Sequence, residues 1–228
     1  LAVEAPPIHT LSVAGRDERF PVNRVFCVGR NYAAHAREMG KDPDREPPFF
    51  FMKPANAVVD ATAPVSVAYP PKTKNYHHEI ELVVAIGKAG ANVAPEQAND
   101  YVFGYAVGLD MTRRDLQSDM REKKRPWDIG KSFAQAAPIA PISPVSRTGI
   151  LTTGAITLDV NGQRRQQGDL ADLIWDVPHT LAFLSQFYEL LPGDLVFTGT
   201  PAGVGAVVAG DTLVGNVAGL TPLSIRIE

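Results

Sequence analysis

Cysteine is almost absent from this chain. The single thiol, Cys27, rules out an internal disulfide and fits a reducing compartment. It lies in the apolar run 25–28, where core filling is the expected role rather than catalysis. Long apolar stretches are missing too. None approaches the roughly 20 residues that a membrane-crossing helix needs. No signal-peptide pattern opens the sequence, so a cytoplasmic location is expected. Neither sign of charge is in excess. Lys and Arg number 22 against 25 Asp and Glu, a net charge of -3, which argues against nucleic acid or an acidic membrane surface as partner. Internal repeats and low-complexity tracts are also lacking.

What is present is a chain of 228 residues, 45% of them hydrophobic, enough for one substantial core. Nineteen Gly and nineteen Pro punctuate it. Between these breakers, apolar runs at 25–28, 80–86, 102–109, 156–160, 195–197 and 223–227 predict strands. Helical periodicity is scarcer. It predicts short helices over 31–39, with Asn31 as a cap and Gly40 as the stop, and over 95–100, 113–123, 170–173 and 178–188, with Pro178 in a first turn. Many short strands with few helices predict a mainly β (α+β) fold with peripheral helices. A short N-terminal extension over 1–20 and one catalytic domain over 21–228 are expected. Two segments read as loops: the charged, Pro-rich 40–48, which could also act as a lid, and the basic run REKKRPW at 121–127.

The segment His77-His78-Glu79-Ile80-Glu81-Leu82-Val83-Val84 carries the most chemistry. On a strand, Ile80, Leu82 and Val84 share one face and Glu79 and Glu81 the other, with backbones roughly 6.5–7 Å apart. Two neighbouring carboxylates repel unless a positive charge lies between them. The pattern alone also fits a solvent-facing strand edge. A third acid, Asp110, closes the apolar run 102–109, where packing gives it no reason to be. Three carboxylates with no cysteine make an oxygen-rich site, suited to Mg²⁺, Mn²⁺ or Ca²⁺ rather than zinc. His77 and His78 read as ordinary strand residues or as partners outside the ligand set.

With VGRNYAAHAREMG (28–40), FFMKP (50–54), NYHHEIEL (75–82), GYAVGLDMTRRDLQ (104–117), KSF (131–133) and LVFTGTPAGVG (195–205) in this order, the chain resembles the fumarylacetoacetate hydrolase family, in its short single-domain branch of acylpyruvases and oxaloacetate decarboxylases. The resemblance implies a β-roll or sandwich-like fold, a homodimer, and one Mg²⁺ or Mn²⁺ per subunit on Glu79, Glu81 and Asp110. The separate N-terminal domain of the longer members is expected to be absent. His35 and Glu38 match the family's H-x-x-E pair. Three residues apart on a helix they share a face, so the carboxylate can orient the imidazole as a general base for water. Arg30, Lys53, Arg114, Gln117 and Thr200 match positions around the substrate. Lys131 does too, and with Gln117 is the candidate donor to a tetrahedral oxyanion. Cationic side chains are needed there, because three carboxylates and one divalent ion leave a negative site and a dicarboxylic substrate adds to it. The Gly-rich turn 198–205 lacks the Lys-Ser/Thr ending of a phosphate loop and is read as presenting Thr200.

The implied reaction is cleavage of a carbon–carbon bond in an acylpyruvate. The stretch PPFFFMKPANAVV (47–59) resembles enzymes acting on 3-fumarylpyruvate or its maleyl isomer, from gentisate breakdown in aromatic catabolism, and 3-fumarylpyruvate is the substrate expected. Two alternatives remain open: oxaloacetate decarboxylation or isomerisation of a hydroxy-dienoate at the same site, and a non-catalytic binding member of the fold.

Overall fold

The computed structural model describes residues 2–32 and 47–228. The helix predicted at 31–39, the pair His35 and Glu38, and most of the predicted lid lie outside the described residues. The architecture is mainly β with short helices, as expected. A curled central sheet runs in the order Phe49–Lys53, Val25–Gly29, Leu195–Phe197, Ile80–Ile86, Val102–Leu109, Ala137–Ile139, Val58–Asp60, with Ser143–Pro144 also paired to Val102–Leu109. A five-stranded sheet, in the order Gln163–Asp169, Ala155–Val160, Thr212–Val217, Leu223–Ile227, Val65–Val67, packs against it. A small sheet of Thr112–Arg113, Tyr76–His78 and Gly205–Val207 continues beyond the central strands.

The strand Ile80–Ile86 explains why the core divides in two. It is buried along its whole length, and alternate residues face opposite ways. Ile80, Leu82, Val84 and Ile86 join Leu158, Leu213 and Ile225 in the core shared with the five-stranded sheet. Val83 and Ala85 join Val25, Cys27 and Phe197 in a second core, which Leu11 and Phe20 of an N-terminal hairpin close. Glu81 has the parity of Val83 and Ala85, so it emerges at the rim of that second core. Cys27 is fully buried there, and burial, then Asp110, push its thiol well above the ordinary range. It fills the core, as expected.

All six predicted strands form, as Val25–Gly29, Ile80–Ile86, Val102–Leu109, Ala155–Val160, Leu195–Phe197 and Leu223–Ile227. Helices form at Arg114–Glu122 and at Val177–Leu184, the latter with its proline in the first turn. It stops before 188 because the chain tightens, with the Gln186 N–H donating to the Phe183 carbonyl. The segments Pro95–Tyr101 and Leu170–Asp172 are 3₁₀ turns rather than α-helices. Whether Asn31 caps a helix is a matter of residues outside the described ones; toward the described residues it ties two loops together. Its amide donates to the carbonyls of Trp175 and Thr198 at 2.8 Å each and accepts from the Trp175 N–H at 2.7 Å.

Candidate active site

Two antiparallel neighbours carry the three acids. Glu81 sits opposite Gly108, and Ile80 opposite Leu109. One step further the Asp110 N–H donates to the Glu79 carbonyl at 2.9 Å, which extends the pairing past both strand ends. Glu79, Glu81 and Asp110 are all buried, and one oxygen from each lies within 4.8 Å of the others. Side-chain parity, strand register and burial thus converge on one point.

Buried carboxylates need compensation. The Lys131 ammonium is itself buried and donates to Glu79 Oε2 at 2.8 Å, Asp110 Oδ2 at 2.7 Å and Thr112 Oγ1 at 2.7 Å. Burial works against that ammonium, yet Asp110 and Glu79 outweigh it and hold its pKa above the ordinary lysine value. Lys53, equally buried, pairs with Asp110 Oδ1 at 2.8 Å and donates to the carbonyls of Met111 and Lys131. Arg114 pairs with Glu79 and donates to Gln117 Oε1 at 2.7 Å. Both side chains project from one face of the helix Arg114–Glu122, three residues apart.

Glu81 is different. It accepts the Gly199 N–H at 2.6 Å, and Lys131 contacts the other two acids instead. Burial, then the charges of Asp110 and Glu79, push its carboxyl well above the ordinary range. A cluster of hard oxygen donors with one under-compensated member fits a divalent cation of the Mg²⁺ or Mn²⁺ kind. Neither histidine belongs to the ligand cluster. Each nevertheless orients a site residue. His77 Nδ1 faces Arg114 Nε at 3.4 Å, and His78 Nδ1 meets Gln166 Oε1 at 2.9 Å. Burial, then Arg114, push the His77 imidazole down to about 4, so it is neutral at physiological pH.

Glycine makes two of these approaches possible. Gly199 has φ +102°, and a Cβ there would lie 2.7 Å from Asn31 Cβ. Gly130 brings the short helix Asp128–Lys131 so near Arg114–Glu122 that a Cβ would meet the Gln117 backbone at 2.9 Å. That approach delivers Lys131 to the acids.

The three acids line a pocket of about 340 Å³ together with Arg30, Arg114, Gln117, Lys131 and Thr200. Lys53 lies behind Asp110 and Lys131 rather than on the pocket wall. Thr200 faces the pocket and accepts from Gln166 Nε2 at 2.8 Å. Gln166 is the residue that sequence reasoning missed. Fully buried, it also accepts the Ile80 N–H and donates to the Pro201 carbonyl, which ties the acid-bearing strand to the turn carrying Thr200. Its sequence surroundings, QRRQQGD, hold nothing that singles it out.

Fold and site define a protein able to hold one hard divalent cation beside a pocket that Arg30, Arg114 and Lys131 also line. The model of the family described as fumarylacetoacetate (FAA) hydrolase C-terminal matches residues 24–228. A crystal structure of fumarylpyruvate hydrolase from Pseudomonas aeruginosa, in complex with Mn²⁺ and pyruvate, superposes with a TM-score of 0.96 at 58% identity, covering 99% of this chain and 98% of that one. Fumarylpyruvate hydrolase from Ralstonia sp is 48% identical over 191 residues, 83% of this chain and 98% of the relative. Oxaloacetate tautomerase YcgM from Escherichia coli is 40% identical over 195 residues, 85% and 88% of the two chains. The chain belongs to the fumarylacetoacetate hydrolase family.

Proposed function

We propose that this chain is a metal-dependent hydrolase that cleaves 3-fumarylpyruvate with water to fumarate and pyruvate. The observation that carries the reading is the buried triad Glu79, Glu81 and Asp110 opening into a pocket ringed by cationic and amide donors. The complex of the Pseudomonas relative with Mn²⁺ and pyruvate supports it. The triad would hold the divalent ion, which when bound supplies a Lewis acid beside the oxoacid.

The residues of the chain do the rest. Arg114 and Arg30 balance the negative charge of the substrate carboxylates. His35, oriented by Glu38, takes a proton from water. The resulting hydroxyl adds to the fumaryl carbonyl carbon, and Lys131 and Gln117 donate to the oxyanion. The bond from that carbon to the pyruvyl methylene then breaks. Its electron pair becomes the enolate of pyruvate, which takes a proton. Lys53 holds Asp110 and Lys131 in position, and Thr200 bounds the far side of the pocket. Residues 21–228 act as one catalytic domain, working as a homodimer in the cytoplasm within gentisate breakdown.

The E. coli relative favours a second reading, enolate chemistry on oxaloacetate without an attacking water. A spectrophotometric panel separates the two. Fumarylpyruvate, acetylpyruvate and oxaloacetate are each offered with Mn²⁺ and with EDTA. Metal-dependent loss of fumarylpyruvate absorbance supports hydrolysis; turnover of oxaloacetate alone contradicts it. Light scattering tests the dimer.

A further inference from the structure

The basic turn 121–127 is exposed over 121–126, as expected of a solvated loop, but its last residue, Trp127, is half-buried and lines the triad pocket. A groove of about 790 Å³ runs beside the triad pocket, and the two share Phe51, Trp127 and Lys131. Its walls are aromatic. Trp127 meets Phe49 edge-on at 5.2 Å between ring centroids and Phe51 at 5.8 Å. At its rim stands Arg125, exposed, with no hydrogen bond or ion pair from its guanidinium to any described residue.

The turn is firmly built. The N–H groups of Lys123, Lys124 and Arg125 donate back to the carbonyls of Asp119, Arg121 and Met120 at 2.8–3.1 Å. The Trp127 carbonyl accepts the N–H of Lys131 itself at 3.0 Å. The Arg125 backbone is thereby fixed close to the backbone of Lys131, while its guanidinium stays free to reach into the groove.

Resting on the reading above, we propose that Arg125, with the groove lined by Phe49, Phe51 and Trp127, is the subsite for the distal carboxylate of a dianionic acylpyruvate. The 2-oxoacid end occupies the triad pocket. A planar, conjugated acyl arm lies along the aromatic walls, and its terminal carboxylate meets the guanidinium. Asp128 lines the same groove and opposes this charge, so its sign gives an independent check.

The test is steady-state kinetics on fumarylpyruvate and on acetylpyruvate, whose arm carries no charge, for the Mn²⁺-loaded wild type, Arg125→Met, Arg125→Lys and Asp128→Asn. Arg125→Met is expected to raise KM for fumarylpyruvate roughly tenfold while kcat changes little. Acetylpyruvate parameters should stay within about twofold. Arg125→Lys should recover part of the loss, and Asp128→Asn should lower KM for fumarylpyruvate only. Inhibition by fumarate should weaken in Arg125→Met, while inhibition by pyruvate should not. Equal losses on both substrates, or no loss on either, overturn the subsite while leaving the hydrolase reading intact. A wild type active on neither diketo acid overturns that reading and the subsite with it.

Discussion

Glu81 is the residue where the physics of the site is concentrated. Glu79 and Asp110 each touch an ammonium, whereas Glu81 has a backbone N–H and two like charges close by. A carboxyl whose pKa is raised on folding stays protonated in the folded state above the unfolded value of about 4.3. The unfolded chain then binds fewer protons, so stability falls as pH rises from that value through the raised one. In EDTA the wild-type melting temperature should therefore fall from about pH 5 to pH 8 relative to Glu81→Gln, and Mn²⁺ should remove the difference. A parallel pH dependence of the two proteins would contradict this assignment. Lys131→Met should act oppositely. It removes the ammonium that Glu79 and Asp110 share and leaves them to Arg114 and Lys53, so the metal-free variant should lose about 1–3 kcal/mol in denaturant unfolding, with part restored by Mn²⁺. An unchanged midpoint would mean that Arg114 and Lys53 compensate the two acids unaided.

At the scale of elements, the site depends on short pieces meeting rather than on any one of them. Gly199→Ala forces a Cβ into a left-handed position and against Asn31. It should cost about 1–2 kcal/mol and shift the N–H that Glu81 accepts, which thermal melts and metal titration would register together. Unaltered metal affinity would make that hydrogen bond incidental. This is also the scale at which sequence and structure part. Strand Ile80–Ile86 is legible because seven buried positions leave an apolar block broken only by Glu81, and that exception is the functional residue. Glu79 and Asp110 are legible as acids ending such blocks. The strand Gln163–Asp169 is not. It is mostly exposed and polar, and becomes a strand by pairing with Ala155–Val160. Gln166, its one fully buried side chain, is hidden among like neighbours. Thr212–Val217 is likewise obscured, because Gly215 interrupts its alternation. The basic turn 121–127 looks in sequence like a solvated loop, since charge and proline say nothing about the groove it borders.

Over the whole molecule, the two sheets share one core and leave a second beneath the site. The triad sits at the rim of that second core, so carboxylates with low access to water face a pocket open on one side. Gathering like charges there costs folding energy that a bound cation returns, which links metal binding to global stability. The most direct measurement is a calorimetric titration of Mn²⁺ into EDTA-stripped wild type and Glu81→Gln, run in two buffers of different ionisation enthalpy. The account predicts one ion per chain in the wild type, proton release on binding, and affinity lower by roughly a hundredfold or more in the variant. Absence of binding in the wild type, or equal affinity in both proteins, would contradict it.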